Sequence, residues 1–87
     1  MKHLQTISGF AIQTNKDEDI YLTSLGVDEE SGGLEILETT RYILSKDLIT
    51  YDDLEVAKEV VEAIKDDAFS YEPKVISISV DVIIGEV

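Results

Sequence analysis

The chain has no cysteine, no tryptophan, one proline and one histidine, and its seven basic residues face nineteen acids. Without cysteine there is no disulfide framework, no thiolate metal site and no cysteine nucleophile, so the fold must rest on packing alone. The formal net charge of −12 repels a phosphate backbone over a Debye length of about 8 Å, and Arg41 is the single guanidinium available to grip one. Direct nucleic-acid binding is therefore excluded as an expectation. A basic face that would hold an anionic leaflet is missing too, as is an apolar run of the roughly eighteen residues that spans a bilayer. The opening segment Met1–Ser8 carries no continuous apolar stretch of signal-peptide type. These absences predict a cytoplasmic protein without a membrane partner.

What is present suits one small globular unit. Hydrophobic residues make up 44% of the 87 residues and charged residues 30%, which argues against disorder and for a single domain over 1–87. A chain of this size buries roughly 64% of its unfolded surface, enough for one modest core.

Periodicity supplies the element order. Ser8–Thr14 places Phe10 and Ile12 on one face, Asn15–Asp19 turns, and Ile20–Leu25 alternates again, a pattern that predicts a β-hairpin. Gly26 and the stretch Asp28–Gly33 read as a loop. A third extended segment falls within Leu34–Leu44; Thr39–Leu44 is its β-rich part, and Leu34–Glu38 either starts it or forms a helical turn. Thr50 and Asp53 resemble a capping box, with Ile49 and Leu54 at the staple positions. Beyond them Leu54, Ala57, Val60, Val61 and Ile64 form one apolar stripe, and the helix is expected to stop near Asp66–Asp67, where acids oppose the negative end of its dipole. After Pro73 the longest strand runs from Lys74 to Ile84. Ile76, Ile78, Val80, Val82 and Ile84 share the face expected to receive the helix, while Val75, Ser77, Ser79, Asp81 and Ile83 share the other with Val87 beyond them. The result is an α+β domain of order β-β-β-α-β: a mostly antiparallel sheet of about four strands with one amphipathic helix on one face. A five-strand version would pair Leu34–Leu37 and Thr40–Leu44 separately.

Chemistry-bearing motifs are few. His3 stands near a terminus where a general base would be poorly held, and no serine sits in a G-x-S-x-G setting. Asn15-x-Asp17-x-Asp19 opens like an EF-hand loop, but Ile20 stands where glycine is needed and Gly26 where a bidentate glutamate is needed. Asp28-Glu29-Glu30 reads as a solvated acidic loop. No enzyme activity, cofactor or metal ligand is expected. The helix carries one further pattern: Asp52, Glu55, Glu59, Glu62 and Asp66 recur at helical spacing as a line of acids, relieved in part by Lys58 and Lys65. Carboxylates about 5 Å apart can imitate phosphate spacing or steer a basic partner. The terminal strand, if it lies at a sheet edge, can pair with a second chain.

The segment Ile20-Tyr21-Leu22-Thr23, the helix opening Thr50–Val60 and the terminal alternating strand together resemble small early-region proteins of Gram-positive, staphylococcal-type phages and prophages. That resemblance implies a phage context and a host-cell cytoplasm, with no site residue carried over. The function expected is a non-enzymatic acidic protein-protein interaction module, an inhibitor or nucleic-acid mimic, acting on a host or phage protein with a basic surface through Asp52, Glu55, Glu59, Glu62 and Asp66. The alternative is a self-associating structural or accessory component of a phage complex, homodimeric through the terminal strand.

Overall fold

The computed structural model describes residues 2–85, with side chains described over 8–79. Four strands and one helix follow in the order β1 (Lys2–Gln13), β2 (Tyr21–Val27), β3 (Leu34–Thr40), α1 (Leu54–Ile64) and β4 (Lys74–Gly85). They form an α+β fold whose antiparallel sheet has the strand order β3-β2-β1-β4. β1 starts earlier than its alternating part suggested, because residues 2–7 complete an unbroken twelve-pair ladder with β4, from Lys2↔Gly85 to Gln13↔Lys74. The readings made for the His3 side chain and for Val87 lie outside the described side chains and residues.

β1 and β2 share one pair, Gln13↔Tyr21, and then diverge. The segment before the helix fills the wedge between them: Ile49 N–H donates to the Leu22 carbonyl at 3.1 Å, and Tyr51 and Phe10 exchange two backbone bonds of 2.8 Å. Gly9 permits this approach, since a Cβ there would stand 3.2 Å from the Tyr51 carbonyl oxygen. Partial burial pushes the Tyr51 hydroxyl above its ordinary pKa.

The core is small. Ile12, Leu22, Ile36 and Ile64 form its buried cluster, with Leu25, Leu34, Ile49, Tyr51, Val60 and Val61 packed around it. Ile12 opposes Val75 across the ladder, and directly opposed residues share a face, so α1 covers the Val75 side of β4. The Ile76 and Ile78 side faces away from the helix. This reverses the expected orientation: the more apolar face of β4 was assigned to the helix, but the position of Ile12 in the ladder decides which face is covered.

Two boundaries also differ from expectation. β3 comprises Leu34–Thr40, and Tyr42–Leu44 is turn; no fifth strand occurs among the described residues. The Thr40 hydroxyl accepts from Tyr42 N–H at 3.1 Å and the Ser45 hydroxyl from Asp47 N–H at 3.2 Å, so local turns prevail over β propensity there. The helix is capped by Asp53, whose Oδ1 accepts from Glu55 N–H at 2.8 Å, and not by Thr50. Asp53→Ala is therefore expected to destabilise the domain by about 1 kcal/mol, and Thr50→Ala by less than about 0.5 kcal/mol. Paired urea titrations check this; an equal loss from both would place the cap elsewhere.

Candidate functional site

Of the five acids in the expected stripe, only Glu55, Glu59 and Glu62 lie on α1. Asp52 precedes the N-cap and Asp66 follows the C-cap residue Lys65, so the line is shorter than its spacing suggested. All five are exposed. Glu55 pairs with Lys58 at 3.6 Å and Glu62 with Lys65 at 2.7 Å, each three residues apart. The hydrogen bond to Glu62, and then its charge, raise the Lys65 ammonium above its ordinary pKa. Glu59, Asp52 and Asp66 make no ion pair among the described residues. Asp52 sits apart from the others, over a groove with Ser8, Phe10 and Ser77.

The other end of α1 is built more elaborately. After Ile64 the chain turns through Asp67 and Ser70, with the Ser70 hydroxyl donating to the Ile64 carbonyl at 2.8 Å. Asp67 ties this turn to the sheet: Oδ2 accepts from Ile36 N–H at 3.0 Å and Oδ1 from Phe69 N–H at 2.8 Å. The carboxylate thereby plugs the outer edge of β3 at Ile36 and fixes the backbone of Phe69, a residue 77% exposed. Phe69 stands where two surface grooves meet. One runs past Asp28, Glu35, Ala63 and Asp66, the other past Ile20, Ile36 and Leu37. An exposed aromatic residue, with Ile20, Ile36, Leu37 and Glu38 on one side and Asp28, Glu35 and Asp66 on the other, thus borders the C-terminal end of the acidic helix.

Spacing along the helix pointed to Glu62 and Asp66 but missed Phe69, Glu35 and Asp28. Glu35 and Asp28 come from the β2–β3 hairpin, and only tertiary structure brings them to the helix end. A lone phenylalanine after the helix reads in sequence as core.

The acidic loop has a structural role. Asp28 Oδ1 accepts from Glu30 N–H at 2.9 Å, and Gly32, with φ +72°, closes the turn by donating to the Asp28 carbonyl at 2.7 Å. Among the described residues no three His, Asp or Glu side chains converge in a way that could hold a metal ion, and every buried side-chain polar atom has a hydrogen-bond partner. No helix among them is long and apolar enough to cross a membrane. No family model, curated protein or solved structure matches the chain.

Proposed function

We propose that this chain is a non-enzymatic, acidic protein-interaction module, encoded by a phage or prophage and acting in the host cytoplasm on a protein with a basic surface. The observation that carries the reading is the exposed Phe69 in one groove with Asp28, Glu35 and Asp66, at the C-terminal end of the helix that carries the exposed Glu59 and Glu62. Protein interfaces concentrate their energy in aromatic anchors within a polar rim, and a surrounding field of one sign steers an oppositely charged partner into place. Carboxylates in a row on a helix also suit a surface that otherwise meets phosphates, which supports an inhibitory role. The phage context rests on the resemblance of the hairpin, helix and terminal-strand segments.

The test is capture from a host lysate followed by titration of the captured protein. Replacing Glu55, Glu59 and Glu62 together by Gln keeps side-chain shape and removes the like-charge pair Glu55–Glu59 along with the exposed pairs Glu55–Lys58 and Glu62–Lys65, so stability should change by less than about 1 kcal/mol. Affinity is expected to fall roughly tenfold or more, and Phe69→Ala, which removes no charge, by a similar factor. Wild-type binding should weaken as salt is added. A partner bound equally well by both variants would refute this surface.

A further inference from the structure

β4 is the outer strand of the sheet, and its backbone shows which groups it leaves open. Phe10 spends its N–H and carbonyl on Tyr51, on the side of β1 away from β4. In an antiparallel ladder the residue opposite such a position also turns its backbone groups outward. That residue is Ser77, and the unbroken register extends the alternation to Val75, Ser79, Asp81 and Ile83. Ile76 and Ile78 bond inward to β1. The open edge thus presents five evenly spaced N–H and C=O pairs with no bulge to interrupt them. The edge at β3, by contrast, is plugged by Asp67.

The molecule also exposes more surface than a compact monomer of its size. Its accessible area is 6281 Å², against about 5,100 Å² expected from its mass. Its radius of gyration is 14.8 Å, against about 12 Å expected for its length. Its longest dimension is 54 Å, and the excess of accessible area is roughly 1,200 Å². That excess is larger than the roughly 800 Å² that each partner contributes to a standard interface.

We infer that β4 pairs antiparallel with β4 of a second copy, about a two-fold axis at Ser79, to give one continuous eight-stranded sheet. This register uses all five outward positions of both chains: Ser79 opposes Ser79, Ser77 opposes Asp81, and Val75 opposes Ile83. Centring on Ser77 would bring Pro73, which has no N–H, opposite Asp81. Centring on Asp81 would oppose two like charges. In the Ser79 register Ile76 faces Val82 and Ile78 faces Val80, pairs of β-branched residues that suit a sheet. On the helix side, position 83 of the second copy comes opposite Val75, which borders a groove lined by Leu54, Lys58, Val61 and Glu62. The acidic surface around Phe69 is then displayed twice, so the dimer adds to the proposed function without depending on it.

Sedimentation equilibrium on the full chain over a dilution series is expected to show a mass of twice 9.7 kDa. Added salt should tighten self-association, because it screens repulsion between two chains of net charge −12 each, the opposite of its effect on a basic partner. Ser79→Asp places like charges across the axis and should weaken the dimer roughly tenfold or more. Mixing Ser79→Asp chains with Ser79→Lys chains should restore a one-to-one dimer, which also shows that both variants fold. A monomeric wild type, or a dimer unmoved by Ser79→Asp in a chain of unchanged circular dichroism, would overturn the inference. Because salt acts in opposite directions on the two associations, failure of one reading is distinguishable from failure of the other.

Discussion

Ile64→Ala is expected to lower stability by about 2–5 kcal/mol, a large share of the roughly 4–13 kcal/mol that holds a domain of this length. Ile64 is fully buried and is the single helix residue in the four-residue core cluster, where it meets Ile12, Leu22 and Ile36 from three strands. Truncation removes the helix's contribution to the buried cluster, leaving Val60 and Val61 at its margin, and opens a void that few neighbours can fill. Leu54, at the other end of the same apolar stripe, is 37% exposed, so Leu54→Ala should cost under about 1.5 kcal/mol. Thermal melts compare the two: each kcal/mol is worth about 4–8 °C at this size, so Ile64→Ala should melt at least roughly 8 °C lower. A drop no larger than that of Leu54→Ala would mean the helix docks through another residue.

Asp67→Ala is the second large effect. It leaves the Ile36 N–H without its charged acceptor at a residue only 7% exposed, and a hydrogen bond to a charged group contributes about 1.5–3 kcal/mol. Phe69 N–H loses the same partner, but at an exposed position where water replaces it. A loss of about 2 kcal/mol is expected, with partial recovery in Asp67→Asn, which keeps one carbonyl acceptor. The variant also opens the β3 edge and frees the turn that carries Phe69, so affinity for a basic partner should fall along with stability. Urea denaturation of both variants checks the first effect; a loss within about 0.5 kcal/mol for Asp67→Ala would remove Asp67 as the clamp.

Element order and class were readable from periodicity because hydrophobic spacing reports locally on helix and strand. The apolar stripe Leu54–Ile64 defined the helix, and it packs through Ala57 and Ile64 as its spacing required. What alternation does not carry is the identity of the covered face. In β4 it sorted Ile76 from Ser77 correctly, but the helix lies over the Val75 side because β1 register sets Ile12 opposite Val75. The more apolar face was therefore the wrong guide. The cap was missed for a related reason: Thr50 and Asp53 have capping side chains alike, and backbone pairing of Tyr51 with Phe10 keeps the chain extended until Asp53. At the candidate site, helical spacing gave Glu55, Glu59 and Glu62. Asp28, Glu35 and Phe69 join them only through contacts between distant segments, and those leave no periodic trace.

Amide hydrogen exchange along β4 tests the central claim most directly, that a strand bonded inward through alternate residues offers its other residues to a second chain. In the Ser79→Asp monomer, Ile76 and Ile78 should be protected by β1 while Val75 and Ser77 exchange like loop amides. In the wild type at dimer-forming concentration, Val75, Ser77 and Ser79 should become as protected as their neighbours. Free exchange of those three amides in the wild type would contradict the account, as would loss of protection at Ile76 and Ile78.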